Sequence, residues 1–212
     1  MVLPDTTLLL AFAIASILLI VAPGPDTLYV AGRSMAQGRG AGLVAALGIS
    51  SGLIVHSLAV AFGLASLVAY VPYAYDAVRY AGAAYILYLA WRAFSDLGID
   101  ASIAARPRPA PLARIYREAV ITNVLNPKVA VFFVAFLPQF ASPEKGRLTG
   151  QILTLAALFI CAGFAYLACI ALGLGALGEW LRGRPAFWRA QRWLMGGTLG
   201  AMAIWLAWPE RR

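Results

Sequence analysis

The chain has 212 residues, of which 62% are hydrophobic and only 12% charged, with mean hydropathy +0.79 and a net charge of +8. A soluble domain is about 45–50% apolar and about 25% charged, so this composition excludes an ordinary soluble enzyme or binding module. The positive charge is not a nucleic-acid footprint, because the arginines lie between long apolar runs, where they set membrane orientation.

The apolar residues are concentrated. No formal charge occurs from Gly40 to Tyr75, where His56 is the one titratable imidazole, and none from Leu148 to Gly178. A run of about 18 apolar residues suffices for a membrane span. The pattern predicts an all-α integral membrane protein with six transmembrane helices.

The first span covers 6–33 and is interrupted at Pro23, Gly24 and Pro25. Unbroken, its 28 residues would reach about 42 Å, too long for a hydrocarbon core of about 30 Å without strong tilt. Its start resembles a secretory h-region, but no Lys or Arg precedes it, so it reads as a span. Residues 34–40 read as a turn-like linker rich in glycine, without the strand and lysine of a phosphate loop. The second span, 41–68, carries Gly48 and Gly52, a small-xxx-small pair suited to close helix contact. Tyr70, Tyr73 and Tyr75 around Pro72 suggest an interfacial turn. The third span covers 77–94.

Residues 95–112 form the one long polar connector and contain alternating Arg and Pro at 106–109, which favours an extended strut. The fourth span, 116–140, breaks near Pro127. The fifth covers 148–178, and the sixth covers 191–208 with Gly196 and Gly200 as a second small pair. Cys161 and Cys169 lie within the fifth span with no ligand type beside them, and read as buried structural residues.

Eleven arginines fall in the connections after the first, third and fifth spans, and five Lys or Arg fall on the other side. The positive-inside rule places the eleven in the cytoplasm and both termini outside. Each half, 1–94 and 113–212, then holds three spans and begins with one broken at proline. An odd number per half makes the halves inverted repeats, an arrangement whose binding site lies near the bilayer midplane.

A break exposes backbone groups that lipid cannot satisfy, so they face protein, water or solute. Helices starting near Thr27 and Val129 would point N–H groups into the gap, suited to a carboxylate. Aligning Pro25 with Pro127 sets Asp26 opposite Lys128, a pair complementary to an amino-acid zwitterion. Asn123 and Asn126 add amide donors and acceptors, and Gly24 and Thr27 add backbone. The alternative is that Asp26 and Lys128 bond to each other and lock the halves. Asp26 and His56 are the proton-carrier candidates; burial and the Lys128 charge act on the carboxyl in opposite senses. No nucleophile set, zinc pair or nucleotide loop is found, so neither an enzyme nor a cofactor is expected. A metal-cation exporter would need a cluster of carboxylate, His or Cys, and a non-transporting membrane protein would need no site.

Several motifs carry a family resemblance. They are Pro23-Gly24-Pro25-Asp26, Gly38-Arg39-Gly40-Ala41-Gly42-Leu43, Ala46-Leu47-Gly48-Ile49 through Gly52 to His56, and Gly82-Ala83-Ala84-Tyr85. Asn126-Pro127-Lys128, Phe132-Phe133 and Phe136-Leu137-Pro138-Gln139-Phe140 complete the set. In order and spacing the chain resembles the LysE/RhtB-type bacterial amino-acid exporters over nearly its whole length. The resemblance implies six spans in the bacterial inner membrane, export of amino acids or close derivatives, and exchange for protons. The connector rich in Arg and Pro, and Leu89-Ala90-Trp91, depart from the family pattern. Partners expected are an amino acid, protons and lipid, not nucleic acid; a homodimer is left open.

Overall fold

The computed structural model describes residues 6–22, 24–70, 74–94, 108–141 and 146–182, with 193, 196, 197, 199–201, 203, 204 and 207. Pro23, Pro72, most of the connector and half of the expected sixth span lie outside the described residues. All described secondary structure is helical.

Helix α1 (Thr6–Val21) is apolar around its whole circumference. Leu10, Ile14 and Ile17 face outward while Phe12, Ser16 and Leu19 are buried, the mark of a helix set between protein and lipid. Helix α2 (Pro25–Gln37) leaves at 49°. Pro25 occupies its first turn, where the missing N–H costs nothing. The expected linker over 34–40 shrinks to one residue: α2 continues to Gln37 and α3 (Arg39–Tyr70) begins at once. Gly38 turns the chain at φ 87°, a conformation glycine adopts without a Cβ clash, and donates its N–H to Ser34 O.

Helix α4 (Ala74–Phe94) precedes the connector. At the connector's end, Pro111 is extended at φ −57° and ψ 144°, as alternating proline predicts. Helix α5 (Leu112–Val124) and helix α6 (Pro127–Val131) follow. The chain then runs through a π turn at Phe132–Phe136 and a 3₁₀ turn at Leu137–Phe140. Leu137 donates to Phe132 O, one residue further back than in an α-helix. Pro138 explains the change, because its ring would strike the carbonyl four residues earlier in regular α geometry. The segments Leu112–Val124 and Pro127–Phe140 meet at 50°. Helix α7 (Leu148–Arg182) closes the continuous part.

Among the described residues, two helices are long and apolar enough to cross a membrane, Arg39–Gly63 and Leu148–Gly173, and the count rises to four if each bent pair is one span. The expected third span, in α4, is not among them; that helix carries Asp76, Arg79 and Arg92.

Helix α3 is the centre, packed along α7, α5 and α2. A core built mostly of small residues (Val30, Ala45, Ala46, Ile49, Ala119, Ala171) joins these four helices. Gly48 and Gly52 make the contact with α5 possible: a Cβ at Gly48 would stand 2.6 Å from Tyr116 O, and one at Gly52 2.6 Å from Asn123 Oδ1. A second core is aromatic and gathers Phe12, Phe132, Phe133, Phe136, Phe140 and Phe159. The cysteines depart from expectation. Cys161 and Cys169 are exposed on the outward side of α7, where a thiol packs against lipid as a small apolar group.

Candidate functional site

The two helix breaks meet, and each is tied to the other. Lys128, in the first turn of α6, donates from Nζ to Ala22 O at the end of α1, 2.6 Å away. Asn123, in the last turn of α5, donates from Nδ2 to Asp26 Oδ2 in the first turn of α2, at 2.7 Å. Carbonyls at a helix C-terminus lack intrahelical donors, so Ala22 O is a natural acceptor for an ammonium. The lysine side chain lies alongside Gly24, where a Cβ would stand 3.5 Å from Nζ, at ordinary contact distance.

Asp26 and Lys128 do not form an ion pair with each other. Asp26 Oδ1 is buried with no hydrogen-bond partner, as is Asn123 Oδ1. Two acceptors without donors at a helix break are unusual, since buried polar atoms are nearly always bonded.

Asn126 caps α6 by accepting the Lys128 backbone N–H on Oδ1 at 3.1 Å. An asparagine followed by proline is a strong helix start, which is why α6 begins at Pro127 rather than near Val129. Helix α2 likewise begins at Pro25 rather than near Thr27, and no side chain caps it. The second break thus spends one N–H internally, while the first keeps its donors open.

Gly24, Asp26, Thr27, Asn126 and Lys128 share the wall of one cavity of about 50 Å³, whose other walls come from α1, α3 and α7. Asn123 and His56 stand behind that wall. His56 Nε2 lies 3.2 Å from Asn123 O, and a carbonyl only accepts, so Nε2 carries the proton. The His56 ring packs on Phe133, with ring centroids 5.8 Å apart. Pro25 and Pro127 sit at the first turns of α2 and α6, as hinges would.

A second polar cluster escaped the reading of residue types. Buried Arg33 donates to Glu118 Oε2 at 2.6 Å and to Arg108 O at 3.1 Å, and Tyr29 donates to the same Oε2 at 2.9 Å. Gln37 both donates to Ala110 O at 2.8 Å and accepts the Ala110 N–H at 3.0 Å, clipping the strut to α2. Arg33 reads as one more orientation-setting charge in sequence. Its spacing from Tyr29 and Gln37, four residues each way, was the available signal.

The arrangement defines a class: a helical membrane protein whose two proline breaks line one side of a small cavity with polar groups, the rest of its wall being largely apolar. The chain matches the family model of the LysE type translocator over residues 17–209. It therefore belongs to the LysE translocator family, and is a transporter rather than an enzyme. It is 29% identical over 202 residues to an uncharacterized membrane protein of Pseudomonas aeruginosa, covering 92% of this chain and 89% of that protein. It is also 29% identical over 161 residues to the leucine efflux proteins of Salmonella choleraesuis and Salmonella typhimurium, covering 76% of each chain. No solved structure matches.

Proposed function

We propose that this protein exports small neutral amino acids from the cytoplasm across the bacterial inner membrane, in exchange for protons. The observation that carries this reading is the mutual grip of the two breaks, Lys128 on the end of α1 and Asn123 on Asp26, around one cavity. The substrate carboxylate would take Lys128 and the uncapped N-terminus of α2 near Gly24 and Thr27. Its ammonium would take Asp26 Oδ1, the acceptor left without a donor, beside Asn126. Leucine efflux by relatives and the apolar far wall both favour a neutral side chain.

The mechanism in this reading is alternating access by two inverted halves, 1–94 and 113–212, tethered by 95–112, with both termini outside the cytoplasm. The near-equal bends of 49° and 50° at the two breaks support it. Asp26 takes up the returning proton, and Asn123 and His56 hold it in place.

The test is efflux of radiolabelled leucine from proteoliposomes under an imposed proton gradient. Wild type should export, faster when the gradient is inward into the donor compartment. Lys128→Ala should lose at least about tenfold in rate while remaining folded in the membrane, because a buried charge-assisted contact to a carboxylate is worth about 1.5–3 kcal/mol. Full efflux in that variant overturns the site.

A further inference from the structure

We infer that Gly163 sets the size limit on the transported side chain, by leaving open the floor of the cavity between α7 and α3. This rests on the amino-acid reading above and adds a residue to it.

The wall facing the two breaks is apolar apart from Tyr166, whose hydroxyl donates to Val21 O at 3.4 Å. Helix α7 contributes Phe159, Gly163 and Leu167, spaced four residues apart and therefore on one face. Helix α3 contributes Ile49 and Leu53 opposite. All four large side chains are buried. Gly163 is the gap in the α7 stripe. It is itself buried, and a Cβ placed there would meet nothing nearer than Leu53 Cδ1, at 4.0 Å across the cavity. This separates it from Gly48 and Gly52, where a Cβ would collide with α5. Those two glycines allow helices to touch, whereas Gly163 keeps two helices' side chains apart.

The volume is small enough for this to matter. About 50 Å³ holds roughly three waters, while an apolar cavity of about 150 Å³ holds a benzene ring. A side chain as short as that of alanine has little need of the floor. One as long as that of leucine must extend past the polar wall, toward the space that Gly163 leaves. Filling this space therefore discriminates by length.

Purified protein in proteoliposomes, assayed with radiolabelled alanine and leucine, tests the inference. Gly163→Val should raise the leucine KM by about tenfold or more and leave alanine within about threefold, since one methylene in an apolar pocket is worth about 10–200-fold. Gly163→Ala should shift the leucine-to-alanine ratio in the same direction by a smaller step. Gly173→Val, on the outward side of the same helix with open space around it, should match wild type. An unchanged ratio, or an equal loss for both substrates at an unchanged melting temperature, overturns the inference while leaving the exporter reading intact. If Gly163→Val does not fold, the ratio in Gly163→Ala decides. Wild type that moves neither amino acid sinks the exporter reading and this inference with it.

Discussion

Asn123 has no exposed surface, yet it is the most connected polar residue of the site. Its amide holds Asp26, its backbone carbonyl accepts from His56, and its Cβ and Oδ1 fill the space left by Gly52. It touches the cavity only through Asp26. Asn123→Ala removes the one donor to a carboxyl that already has an unpaired oxygen, and should cost about 1–3 kcal/mol. Thermal unfolding in detergent should show the loss, and efflux should fall with it. Asp26, Asn126 and Lys128 were legible because a charge or amide beside proline in an apolar run is a local signal. The place of Asn123 behind the wall was not, since it depends on which face α5 turns to α2.

The contact of α3 with α5 is a property of two helices, and its tolerance is set by what each glycine faces. Gly48 abuts the backbone at Tyr116 O, which cannot move aside as a flexible side chain can. Gly48→Ala should destabilise by about 1–3 kcal/mol, whereas Gly63→Ala on the same helix, with open space around it, should be close to neutral. Melting temperatures of the two variants check the contrast. The small-xxx-small spacing of Gly48 and Gly52 announced a close contact, but not its partner. Helices α2 and α5 are joined by a different device. Arg33, Tyr29 and Arg114 converge on Glu118, whose side chain is one-third exposed. Glu118→Ala would strand Arg33, whose side chain is 8% exposed, and should cost about 2 kcal/mol after allowance for solvent on the acid. Glu118→Gln, keeping two hydrogen-bond acceptances, should recover part of it.

Across the whole molecule, the proposed topology makes a further commitment. With the arginine-bearing connections in the cytoplasm, Lys145 and Arg147 lie outside and Arg39 lies inside. Single cysteines at Arg39 and Arg147, in a background with Cys161→Ser and Cys169→Ser, should label from opposite sides with a membrane-impermeant maleimide. Labelling of both from one side would overturn the inverted arrangement. The two bent pairs, near-equal in angle, are the elements on which that arrangement turns.

Sequence alone settled that this chain is helical and lives in a membrane, because apolar run length is summed along the chain and needs no partner. It also located both breaks, since proline's missing N–H acts within one turn. Only the tertiary structure decided that Lys128 reaches Ala22 and Asn123 reaches Asp26, rather than the two charges bonding to each other. It alone turned Cys161 and Cys169 outward and buried Arg33 against Glu118. For the cysteines the reason is that in a largely apolar helix composition does not choose a buried face. For Lys128, Asn123 and Arg33 it is that each partner lies on another element, 85 to 106 residues away, and the choice falls to how the helices pack.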